Sequence, residues 1–288
     1  MLPAMATKPR IAIVGPGRLG TALALELTRA GYTIAEVVSR GPAASRRKAR
    51  ALAKLVHARA STLGNARFDA DLIWFCVPDR SIASVARELP ASAQWQGKVA
   101  FHSSGALPSD ELDVLRQRGA AVASVHPMMT FVAGATPSLA GVPFALEGDR
   151  LAVRLARQIA RSLNAPAFTI RKQDKAAYHA WGAFTSPLLV AALVTMEKVA
   201  QAAGLTASDT HRKMLPIVQQ TMKNYERLGP AGAFSGPLVR GDVETVRQHL
   251  RVLKNIPGAR DVYCALARAA LLYLPVGQRG KMRQILKF

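Results

Sequence analysis

The sequence predicts an α/β chain in which a doubly wound parallel sheet is followed by an all-helical second half. Three observations carry the prediction. Short apolar runs alternate with amphipathic stretches through the first half, a glycine-rich turn joins the first run to the first amphipathic stretch, and no strand-like run occurs after Ile170. Two domains follow, residues 1–170 and 171–288.

Ile11 to Val14, Thr33 to Val38, Leu72 to Val77, Val99 to His102 and Ala121 to Val125 are short, largely apolar runs that read as strands buried on both faces of a parallel sheet. Leu19, Leu23 and Leu27 recur every four residues behind the first strand, and Ser81 to Leu89 and Pro108 to Arg118 supply later crossovers. Val142 to Leu146 and Ala167 to Ile170 are strands flanking a helix from Asp149 to Leu163. The second half divides into helices at Gln173 to Ala203, Ala207 to Leu228, Val243 to Lys254 and Gly258 to Leu274, with a loop from Gly229 to Gly236. Ala180 to Met196 carries no charge, yet falls short of the roughly 20 apolar residues of a membrane helix. It reads as a buried helix.

Half of the 288 residues are hydrophobic, enough for two cores and too many for disorder. Cys76 and Cys264 stand far apart in apolar runs, without metal-ligand spacing, and read as reduced core residues of a cytoplasmic protein with no metal. Met1 to Arg10 lacks the apolar core of a signal peptide, and Met5 offers an alternative start. The net charge of +21 attracts polyanions in general, but the basic residues are scattered. The densest group, Arg46, Arg47, Lys48, Arg50 and Lys54, has no interleaved aromatics and reads as a solvated helix face rather than a nucleic-acid site.

Gly15-Pro16-Gly17-Arg18-Leu19-Gly20 follows the first strand directly and opens a helix, the context in which a GxGxxG turn binds a dinucleotide in a Rossmann domain. Gly15 permits the turn, Gly17 lets a pyrophosphate approach the backbone, and Gly20 lets helix and strand pack closely. The helix start offers free N–H groups to the phosphates. The second strand ends at Ser39-Arg40, where an NAD site usually has an acid. A cation there suits the 2′-phosphate of NADP, with Arg46 and Arg47 close in sequence. The competing reading, Glu36 serving NAD, places the acid inside the strand rather than at its end.

Further strands end at the same sheet edge. Val77 and Pro78 line the cofactor channel, with Asp79 as a helix N-cap. His102-Ser103-Ser104-Gly105 and His126-Pro127-Met128-Met129 bring two histidines and two hydroxyls to the place of a nicotinamide ring. A histidine titrating near neutrality passes a proton while hydride moves, and His126 is the first candidate. His102, Ser103 and Ser104 are assigned to the cofactor.

Gly15 to Gly20, the Leu72 to Asp79 strand and the helical second half resemble the superfamily of 6-phosphogluconate dehydrogenase, the β-hydroxyacid dehydrogenases and pyrroline-carboxylate reductase. The chain is more closely similar to Rossmann-like proteins with the domain of unknown function 2520, described as NADP- or F420-dependent oxidoreductases. The marks are His102-Ser103-Ser104-Gly105, His126-Pro127-Met128, Tyr178-His179-Ala180, Thr221 with Asn224, and Ser235-Gly236-Pro237 through Arg240-Gly241-Asp242. His126-Pro127-Met128 also resembles the prephenate dehydrogenase motif, but Met129 and Thr130 replace its glycine. Where the β-hydroxyacid dehydrogenases have a catalytic lysine with an asparagine four residues on, this chain has Lys175 and His179.

The resemblance implies that Lys175, Tyr178 and His179 approach the nicotinamide from the second domain. Arg240 is the candidate for a substrate carboxylate, and Asp242 for the N-cap of the next helix. The all-round apolar character of Ala180 to Met196 and the resemblance together imply a homodimer through the helical halves. The function expected is hydride transfer between NADP and a small, anionic carbonyl, imine or hydroxyl compound. NAD or F420 are the alternative cofactors, and a non-catalytic NADP sensor or a nucleic-acid binder are the alternative functions.

Overall fold

Ile11–Val14, four apolar residues without interruption, form strand β1 at the centre of the sheet, and each is fully buried. In the computed structural model, which describes residues 8–41, 43–90, 94–132, 134 and 137–288, the chain divides into two units, 1–183 and 184–288. Met5 lies outside the described residues.

The first unit continues with α1 (Arg18–Arg29), β2 (Ile34–Ser39), α2 (Ala43–Leu55), β3 (Arg59–Thr62), β4 (Leu72–Phe75), α3 (Ile82–Glu88), β5 (Val99–His102), α4 (Asp113–Gln117), β6 (Ala121–Pro127), β7 (Phe144–Gly148), α5 (Arg150–Ser162), β8 (Ala167–Thr169) and α6 (Lys175–Thr185). The strands form one eight-stranded sheet in the order β3-β2-β1-β4-β5-β6-β7-β8. Every neighbouring pair is parallel except β6 and β7, which run antiparallel. One apolar layer joins α1, α2 and α5 to one face, and a second joins α3 and α4 to the other. The chain leaves β1 for β2 on one side and returns to β4 on the other, so the carboxyl ends of β1 and β4 border the crevice where ligands of such sheets bind.

β3 has no counterpart in the sequence reading. Its residues, Arg-Ala-Ser-Thr, show no apolar run because it is an edge strand, with Arg59 and Ala60 exposed and Ser61 buried. The first unit also extends past the expected boundary at residue 170. The opening turns of α6 pack on the sheet through the buried side chains Lys175 and Tyr178.

The second unit is helical throughout its described residues: α7 (Pro187–Ala202), α8 (Ala207–Ala233), α9 (Pro237–Arg240), α10 (Val243–Leu253), α11 (Ala259–Tyr273) and α12 (Arg279–Leu286). Its core gathers Val246, Leu271, Val276, Met282 and Leu286. The single helix expected from Gln173 to Ala203 is interrupted at Ser186 (φ −133°, ψ −81°). Pro187 disfavours helical backbone at the preceding residue, while its fixed φ suits the first position of the new helix. Pro230 begins a further turn of α8 beyond the non-helical Gly229 (φ 71°, ψ 178°), where the loop was expected to begin.

The expectation of a buried apolar helix is overturned. None of the residues of α7 is buried, and Leu188, Leu189, Val190, Val194 and Met196 are exposed. By length and composition the whole run Lys172–Ala202 also reaches what a membrane-crossing helix requires, which Ala180 to Met196 alone did not. Apolar periodicity reports that a face is to be covered; it does not say that the same chain covers it.

Candidate functional site

The glycine turn has the shape a dinucleotide needs. A Cβ on Gly15 (φ +107°) would lie 2.5 Å from the Cys76 carbonyl oxygen, and one on Gly20 would lie 2.1 Å from the Gly15 oxygen. Gly17 is different. Its nearest neighbour would be 3.9 Å away, so the backbone there is open to a phosphate, and no side chain caps the start of α1.

A cleft of about 310 Å³ opens beside this turn, lined by Gly15, Pro16, Gly17, Arg40, Val77 and Pro78, by Cys76, which the sequence placed in the core, and by Ala44, Ser45 and Lys48 of α2. Ser45 and Lys48 were missed. Lys48 was grouped with Arg46 and Arg47 as a run of charge, and only the helix geometry separates the one that faces the cleft. Arg18 lines an adjoining hollow and donates to the Phe131 oxygen at 3.3 Å, while Leu19 packs against the core of the sheet.

Two neighbours of Arg40 do not join it. The buried Ser39 hydroxyl donates to the Ser61 oxygen at 3.1 Å and lies outside this cleft. Glu36, 2% exposed, accepts the backbone N–H groups of Arg67 and Phe68 at 3.2–3.3 Å and pairs with Arg59 at 3.7 Å. With its carboxylate so engaged, it is not the ribose acid of an NAD site.

Further along the edge, the His102-Ser103-Ser104 segment is occupied in holding itself together. His102 accepts from the Ser104 N–H at Nδ1 (3.1 Å), which leaves Nε2 to donate to the Pro108 oxygen (2.9 Å). Burial pushes its pKa down to about 4, with Lys175 and His126 adding to the shift against the pull of the Pro108 hydrogen bond and Asp79. Ser103 accepts from the Trp74 indole at 2.8 Å. The Ser104 hydroxyl donates to Asp79 at 2.7 Å and accepts from the N–H groups of Ala106 and Leu107. Asp79 is therefore not the expected N-cap. Pro78 holds the cap position, and the Asp79 carboxylate reaches across to the β5 loop.

His126 lies near the end of β6 and is half-buried. Its Nδ1 lies 2.6 Å from the Tyr178 hydroxyl, with the two rings edge-on at 5.5 Å. Its Nε2 would lie 3.0 Å from a Cβ on Gly105, so the absence of a side chain there lets the loop approach the imidazole. Burial, Lys175 and His179 together push His126 down to about 4 against the pull of Asp79, and burial raises Tyr178 to about 12. The sequence reading of a histidine titrating near neutrality is corrected: at pH 7 His126 is a neutral imidazole. From that order of pKa values the tyrosine donates to Nδ1, and the ring proton sits on Nε2.

Lys175 is 2% exposed and donates to the Ser124 hydroxyl at 2.6 Å and the Ser104 oxygen at 3.3 Å. Burial lowers its pKa to about 8 against the pull of Glu147 and Asp79. Four residues on, the exposed His179 lies on the Gly105 side of the cluster. Lys175, Tyr178 and His179 thus belong to the same unit as the sheet. Arg240 belongs to the second unit, where Asp242 accepts its Nε–H at 2.8 Å; the Asp242 side chain does not cap α10. Among the described residues no cluster has the makings of a metal site.

Residues 4–127 match the model of a Rossmann-like domain, and residues 142–270 match the domain of unknown function DUF2520. No curated protein matches the chain. Among solved structures, it is similar to a Bacteroides fragilis protein described provisionally as an NADP oxidoreductase, at 24% identity and TM-score 0.74, covering 91% of this chain and 97% of that one. A Thermotoga maritima protein shares 24% identity at TM-score 0.72, with 96% and 98% covered. A reductive aminase from Aspergillus terreus in complex with NADPH and ethyl-5-oxohexanoate shares 17% at TM-score 0.67, with 98% and 99% covered. At these identities the likeness is one of fold.

The depressed histidines make a testable contribution to stability. His102 and His126 bind protons near 6.5 when unfolded but only near 4 in the folded protein, so the unfolded chain holds more protons across that window. Their contribution is complete above about pH 6.5 and is lost as the pH falls toward 4, by up to about 1.4 kcal/mol per pH unit for each histidine. Urea unfolding at pH 7.5 and 5.0 should show a larger acid loss for the native chain than for a His102→Gln, His126→Gln variant; equal losses would refute the assignment.

Proposed function

We propose that this chain, a Rossmann-like domain followed by a domain of the DUF2520 family, is an NADP-dependent oxidoreductase acting on a small carbonyl, imine or hydroxyl compound. The observation that carries the reading is the convergence, on one sheet edge, of an open glycine turn and a neutral histidine backed by a tyrosine hydroxyl. The residues fit the cofactor. The free N–H groups of α1 would receive the pyrophosphate, Val77 and Pro78 would line the channel, and Arg40, Ser45 and Lys48 would hold the 2′-phosphate.

When bound, the nicotinamide supplies or accepts the hydride. In the reducing direction, His126 would donate its Nε2 proton to the oxygen or nitrogen that gains negative charge while the Tyr178 hydroxyl passes its own proton to Nδ1, and the phenolate so formed takes up a proton from solvent before the next turnover. This exchange of ring protons bypasses a full imidazolium, which a group held near 4 would not sustain at pH 7. Lys175 holds Ser104 and Ser124 in register beneath the histidine, and His179 borders the substrate at Gly105. An anionic substrate group is the partner proposed for Arg240, in exchange for Asp242.

The exposed apolar side chains of α7 support a homodimer as the functional unit. They adjoin a cleft of about 670 Å³ lined by Met196, Val199, Val252, Val262 and Leu266, with the His249–Tyr263 hydrogen bond (3.2 Å) as a polar element. A second copy of this helical unit is the occupant proposed for that face.

Titration with NADPH and NADH, followed by nicotinamide fluorescence, is expected to give at least tenfold tighter binding of NADPH. Arg40→Asp should abolish the preference, and failure to bind either nucleotide would end the dehydrogenase reading. In a carbonyl and imine screen, Tyr178→Phe should lower kcat by about 10²-fold with NADPH affinity unchanged. An undiminished kcat would rule out the proton exchange through Nδ1. Light scattering should give twice the chain mass for the native protein and the monomer mass for Val190→Glu, Val194→Glu; a native monomer would contradict the dimer.

A further inference from the structure

α5 carries Arg150, Arg154, Arg157 and Arg161 at intervals of four, three and four residues. At 100° and 1.5 Å per residue they fall within an arc of about 60° and along about 16 Å of helix. Arg150, Arg154 and Arg161 are exposed and Arg157 is half-buried. Among the described residues none of the four has a carboxylate at ion-pair distance, although arginines elsewhere in the chain do. The helix contains no acidic residue, and Asp149, just before it, is engaged by Arg116 and the Val122 N–H. At the other end Ser162 bonds Tyr32 at 3.1 Å, and the ammonium of Lys8 lies 5.0 Å from that ring.

The surroundings narrow the kind of partner. The apolar side of α5, Ala152, Ala156, Ile159 and Ala160, is buried against the sheet, so the helix cannot turn that side into a bilayer. Its arginine arc holds no apolar side chain to form the centre of a protein interface, and no aromatic to stack on single-stranded bases. A straight row of unneutralised guanidinium groups remains, the chemistry that engages successive phosphates without reading sequence. We propose that the exposed face of α5 binds the phosphate backbone of double-stranded nucleic acid, independently of sequence and of the dinucleotide cleft.

The test is fluorescence anisotropy with a labelled 20-base-pair DNA duplex, from 50 to 200 mM KCl, with the cleft saturated with NADPH. Four phosphate contacts give a slope of log K against log salt of about −3.6 and a loss of about two orders of magnitude over this range. Replacing all four α5 arginines by Gln should remove that slope. Replacing Arg46, Arg47, Arg50 and Lys54 by Gln, an equal loss of charge, should leave it largely intact. The milder Arg154→Gln, Arg157→Gln pair, with NADPH titration and circular dichroism as checks on folding, should halve the slope. Absence of native binding at 50 mM KCl, equal loss in the two fourfold variants, displacement by NADPH, or tighter binding to phosphatidylserine vesicles than to the duplex would each overturn the proposal.

Discussion

The candidate site depends on one buried cation. The Lys175 ammonium, held between the Ser124 hydroxyl and the Ser104 carbonyl, fastens the first turn of α6 to β6 and to the loop after β5. Removing such a group from water is unfavourable by several kcal/mol unless its donors are matched, so its hydrogen bonds strongly restrict the geometry around it. Tyr178 follows one turn later and meets His126 from above the strand; Gly105, one residue beyond Ser104, comes close to the same imidazole. The positive charge also lowers the proton affinity of His102 and His126.

Much of the fold was legible because it depends on patterns that one face of a sheet or helix imposes. Strands β1 and β4 are continuous apolar runs, β5 and β6 are largely apolar, and the glycine turn declares its own context. β3 was not legible, because an edge strand of four residues with only Ser61 buried shows neither an apolar run nor an alternation. α12, a helix of only eight residues anchored by Met282 and Leu286, gave no periodic signal long enough to separate it from a tail.

The site divides along a similar line. Residue types brought to one edge by strand ends were readable, which is how His126 came to notice, whereas Lys175 and Tyr178 were noticed only through the family resemblance. Their states were not. Whether a histidine carries a proton, or a serine faces a ligand or its own loop, depends on burial and partners set by distant segments: Ser104 by Asp79, Ser103 by Trp74, His102 by Pro108. Lys48 shows the same limit in reverse, since its neighbours in sequence carry the same charge and only its helical phase directs it to the cleft.

The end of β2 carries a consequence for how such a protein diversifies. Glu36 and Ser39 are committed inward, one to the backbone of residues 67 and 68 and the other to β3, so altering either disturbs the sheet. Arg40 is exposed at the lip of the cleft. On the reading of a dinucleotide cleft, descendants of this sequence can drift in coenzyme choice through a single codon at position 40, leaving the inward-facing residues beside it unchanged.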